Sequence, residues 1–89
     1  MSESCWIVAE PYDDADLKHL KTALKRLGYR RIHREVLDPV TQEVRTDVLL
    51  GPDGVLSIEQ DNNMLLRLSV QGAQHLVDSV RAAFAELPR

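Results

Sequence analysis

One cysteine, Cys5, is all that this 89-residue sequence contains, so no internal disulfide staples the fold. Aromatic side chains are scarce too: one Trp, two Tyr and one Phe. That leaves little on which to stack unpaired bases. No apolar run approaches the roughly 18 residues of a membrane span. The opening residues, MSESCWIVAEPYDD, are acidic and lack the basic stretch of a signal peptide. These absences lead us to expect a cytoplasmic protein with no membrane partner. The four glycines, Gly28, Gly51, Gly54 and Gly72, are dispersed at turn and cap positions, so there is no glycine-rich phosphate loop.

Recognisable catalytic chemistry is missing as well. His19, His33 and His75 are scattered without metal-ligand spacing. His19 and His75 are expected on outward helix faces. Asp61-Asn62-Asn63 has the composition of a calcium-loop fragment but not its glycine or distal glutamate, so it reads as a turn. No Ser/His/Asp set is forced together. An enzyme would need Cys5 and His33 to meet in a pocket. The expectation is a non-enzyme with no cofactor and no metal.

What is present is a single small domain, residues 1–89, with ordinary globular composition: 44% hydrophobic and 28% charged. Leu17, Leu20, Leu24 and Leu27, with Ala23, recur at helical spacing, predicting a helix over 14–27. Asp13 and Asp14 suit its start, and Asp16 adds negative charge to the first turn. Gly28 suits a left-handed cap, with Tyr29 covering the end. Strands are predicted over 5–10, 30–37, 44–50, 55–60 and 64–70 from β-branched content and alternation. In the third, Val44, Thr46, Val48 and Leu50 are expected inward. In the last, Leu66, Leu68 and Val70 are. Gly72 is expected to end the sheet before a second helix over 73–87, its stripe formed by Leu76, Val80, Ala83, Phe84 and Leu87.

The order β-α-β-β-β-β-α implies an α+β fold. We expect an antiparallel-rich sheet of four to five strands, with both helices on one face. A right-handed crossover through the first helix would set the first strand parallel to a neighbour.

Asp16, Leu17, Leu20, Ala23, Leu24, Leu27, Gly28 and Tyr29 spell D-L-x-x-L-x-x-A-L-x-x-L-G-Y. This helix end resembles that of a small uncharacterised conserved family of cyanobacteria, plastids and other bacteria. The resemblance implies a strand meander after the helix and brings no established activity or site.

Charge is the feature that asks for a function. Residues 1–16 carry five acids and no base, residues 17–34 seven bases and no acid, within a net charge of −3. The bases are Lys18, Lys21, Lys25, Arg26, Arg30, Arg31 and Arg34. They are expected to form a partner-binding or polyanion-binding surface. The primary reading is a protein-interaction module, binding a protein partner or a second copy of itself. Nucleic-acid binding through the same residues is the alternative, since polyanions attract such clusters by counterion release.

Overall fold

The computed structural model describes residues 3–41, 43–63 and 65–88. It shows the expected α+β domain, in the order β1 (Glu3–Ala9), α1 (Asp14–Arg26), β2 (Arg30–Leu37), β3 (Val44–Gly51), β4 (Gly54–Asp61), β5 (Arg67–Ala73) and α2 (Gln74–Glu86). The five strands form one sheet in the order β1-β5-β4-β3-β2, every pairing antiparallel.

The parallel crossover is therefore corrected. β1 and β2 lie at opposite edges, and α1 carries the chain across the sheet between them. Three further expectations change. β5 starts at Arg67 and includes Gly72, while Leu66 lies before it, 45% exposed, its carbonyl accepting the Tyr12 N–H. Residue 64 lies outside the described residues. His19 is not outward: its Nε2 is 3.0 Å from the Phe84 carbonyl, and its ring meets Phe84 edge-on at 4.5 Å. β3 turns its expected inner face outward, for a reason given by its register.

Directly opposed residues of an antiparallel pair share a face. One rung runs Trp6, Val70, Ile58, Asp47, Arg34 from edge to edge. Its neighbour ends Gly72, Leu56, Leu49, Arg31. Leu56, Ile58 and Val70 are buried with Leu20 and Leu24 of α1 and Leu76, Val77 and Val80 of α2 in a single core. Asp47 and Leu49 consequently point toward the helices, and Val48 and Leu50 point away. α2 packs on β1, β5 and β4 and α1 packs against α2, so neither helix packs closely on β2. The long rung records this limit, changing from apolar to charged where helix cover ends.

α1 is set by its ends. The Asp16 N–H donates to Asp13 Oδ1 at 2.9 Å, and the Asp13 N–H donates to Asp16 Oδ2 at 3.1 Å, a reciprocal capping box. At the far end Tyr29 N–H donates to the Leu24 carbonyl and Gly28 N–H to the Lys25 carbonyl, with Gly28 at φ 86. This is the Schellman arrangement, and it turns the chain sharply into β2. Asp13→Ala removes one capping partner and should destabilise the domain by about 1 kcal/mol. Thermal unfolding should then shift down by about 4–8 °C.

Candidate partner-binding groove

The flank of α1 that faces β2 carries Lys21 and Lys25, four residues apart and so stacked one turn above the other. Across from them β2 contributes Arg31 and Arg34. In a regular strand two residues three apart face opposite sides. Here the register slips by one between Arg31 and His33, so that Arg31 opposes Leu49 and Arg34 opposes Asp47. The bulge resets the alternation and puts both guanidinium groups on the helix side.

Together these residues enclose a groove of about 450 Å³, lined also by Leu24, Tyr29, Asp47, Leu49 and Ile58. Leu24, Leu49 and Ile58 are buried and form its floor, while Lys21, Lys25, Arg31 and Arg34 are exposed at its rim. Tyr29 lines the groove too. A Cβ on Gly51 would stand 2.6 Å from the Tyr29 ring, so the ring lies directly on that backbone. Burial raises the Tyr29 phenol above its ordinary pKa of 10.0, and the Asp53 charge adds to this.

Asp47 is the acid of the groove. Arg34 Nε donates to its Oδ1 at 2.7 Å and Nη2 to its Oδ2 at 3.1 Å, a two-point fork. The hydrogen bond that it donates to Asp47 holds the Arg34 guanidinium above its ordinary pKa. The Asp47 side chain is 5% exposed and that of Arg34 34%. Hydrogen bonding therefore compensates a carboxylate that has left water.

The other proposed residues separate. Lys18 borders a shallower space of about 350 Å³ along α1, with Asp14, Leu17, Lys21, Thr22 and Lys25. Arg26 lies on the side of α1 toward the C-terminus, in a pocket with His19, Leu87 and Pro88. Arg30 opposes Leu50 and so belongs to the uncovered sheet face. Among the described residues, Lys18, Lys21, Lys25, Arg26, Arg30 and Arg31 make no ion pair; the pairs are His33–Glu35, Arg34–Asp47 and Arg67–Glu10. Asp47, Leu49 and Ile58 were not read as site residues from the sequence. The signal was the hairpin register, which places Asp47 beside Ile58.

The Cys5 and His33 pairing is overturned. They end one rung of the uncovered face, Cys5, Gln71, Ser57, Val48, His33. Four strand spacings separate them by about 19 Å. Among the described residues no group of three or more His, Cys, Asp or Glu is placed to hold a metal ion. No helix among them is long and apolar enough to cross a membrane. A second polar cluster is structural: the Tyr12 hydroxyl donates to Asn62 Oδ1 with Gln60 Oε1 3.4 Å away, tying the entry of α1 to the end of β4. Comparison with protein-family models, curated protein sequences and solved structures returned no match.

Proposed function

We propose that this chain is a non-enzymatic protein-interaction module that takes an acidic segment of a protein partner into the groove between α1 and β2. The observation that carries this reading is the convergence of Lys21, Lys25, Arg31 and Arg34 around a floor of Leu24, Leu49 and Ile58. Three of the four cations have no internal carboxylate partner among the described residues. Cations over an apolar floor suit a segment that mixes acidic and apolar side chains. Nucleic acid would also call for bases to stack on, and Tyr29 is the one aromatic ring lining the groove.

The test is titration of the full chain with a labelled peptide alternating glutamate and leucine, and with its lysine/leucine counterpart. The acidic peptide should bind, and binding should weaken steeply as salt is raised from about 50 to about 200 mM. Changing Lys21, Lys25 and Arg31 together to alanine should weaken it by at least about tenfold, with circular dichroism unchanged. Equal binding of both peptides overturns the reading. Tighter binding of a short RNA at the same salt replaces it with the nucleic-acid alternative. Light scattering scores self-association: a dimer that survives the triple substitution is built on another surface.

A further inference from the structure

We infer that the acidic group held in the groove is a phosphorylated serine or threonine of the partner, with an apolar residue beside it. This inference rests on the partner-binding reading above. It follows from charge, donor geometry and the layering of the groove.

Four cations and one carboxylate line the space, leaving a formal excess of three positive charges. A glutamate brings one negative charge and two acceptor oxygens. A phosphomonoester brings about 1.5 to 2 negative charges and three strong acceptors. The phosphate therefore neutralises more of the excess, and it has oxygens to offer to both walls.

The two walls are unlike. Arg34 is held on one edge by Asp47 through Nε and Nη2, so its plane is fixed and its Nη1 remains for another acceptor. Arg31, one rung away on the same face, has no carboxylate partner among the described residues. Guanidinium forks match phosphate oxygens in pairs. Lys21 and Lys25 on the facing wall are flexible point charges that adjust to what the arginines hold.

The layering selects the amino acid. Leu24, Leu49 and Ile58 are 3%, 7% and 3% exposed, whereas all four cations are exposed. Apolar surface is deepest and charge is at the rim. A phosphotyrosine would invert this order, since its ring precedes its phosphate into a pocket. A short phosphorylated side chain keeps the phosphate at the rim, and the neighbouring leucine or isoleucine can lie along the aliphatic stems of the rim side chains above that floor.

The experiment uses the full chain and three peptides, identical except at one position, where phosphoserine, glutamate or serine precedes a leucine. Fluorescence anisotropy should rank phosphoserine at least about tenfold tighter than glutamate, with serine weaker still. Lys21→Ala and Arg31→Ala should each reduce the phosphoserine affinity about fivefold or more. Arg26→Ala and Arg30→Ala remove the same charge elsewhere and should change it less than about twofold. Equal affinity for phosphoserine and glutamate peptides overturns the inference and leaves the partner-binding reading standing. Failure of every peptide overturns both. Equal losses at Arg26 or Arg30 overturn the groove as the site. Inorganic phosphate competing as well as the phosphopeptide overturns the protein source in favour of a small anion.

Discussion

Gly72→Ala should destabilise the domain by about 2–6 kcal/mol, the sum of two costs. Gly72 sits within β5 at φ 156, a conformation that L residues rarely adopt, and holding a side chain in such regions costs about 1–3 kcal/mol. A Cβ there would also lie 2.5 Å from Leu56 Cδ2 and 3.4 Å from the Val55 carbonyl oxygen. Leu56 is 1% exposed, so its methyl must give way within the core and not into solvent. Overpacking of this kind costs about 1–3 kcal/mol more. A domain of this size is stable by roughly 4–13 kcal/mol, so the loss is a large fraction of the total. Urea unfolding followed by Trp6 fluorescence measures it. Repeating it in Leu56→Ala separates the two costs. With the methyl gone, the double variant should lose less than the two single losses added. A Gly72→Ala loss below about 1 kcal/mol contradicts both parts of the argument.

Arg34→Met and Asp47→Leu remove the same ion pair and should have unequal consequences. Arg34→Met should cost about 2–4 kcal/mol, toward the lower end because the arginine side is partly in water. It strands a carboxylate that is 5% exposed, with Leu49 and Ile58 as neighbours in the groove. Asp47→Leu leaves Arg34, already 34% exposed, free to turn to solvent. The new leucine joins the apolar floor. That variant should fall within about 1 kcal/mol of the parent. Chemical denaturation of the two side by side is the measurement. Equal losses would show that the pair contributes through geometry alone and not through desolvation of the acid.

The first helix was legible almost to the residue because its signals are local. Asp13, Gly28 and Tyr29 act within one turn of where they sit in sequence. The second helix, the five strands and the antiparallel meander were open to reading as elements, though with looser bounds, since alternation and turn residues mark each. The face of β3 was misread because Val48 and Leu50 look like the better core pair. Its true face is settled by register. The Pro52-Asp53 turn pairs Gly51 with Gly54, which brings Leu49 to Leu56 and Asp47 to Ile58. With Leu56 and Ile58 inward, Leu49 and Asp47 must follow. Leu66 was misplaced because an apolar run does not show where pairing begins. His19 escaped for a different reason: its partner, Phe84, is 65 positions away, and the hydrophobic wheel of one helix carries no trace of the other. Of the seven bases, alternation alone could not gather Arg31 with Arg34. That needed the bulge, a feature without a local signature here.

The order of the strands also bears on how the chain is made. β2 to β5 pair with their neighbours in sequence, so three hairpins can close as soon as each has emerged. β1 is different: Trp6 opposes Val70, 64 positions later. On a ribosome adding about 5–20 residues each second, the first strand waits roughly 3–13 s for its partner. During that interval the unpaired edge of β5 has yet to appear, and Ile7 and Val8 have no sheet to join. Such late, long-range closure slows folding relative to local pairing. Trp6 sits on the strand whose pairing partner is farthest away in sequence, and it meets Phe84 edge-on at 5.3 Å. Its fluorescence during refolding should therefore report completion of the sheet rather than its nucleation.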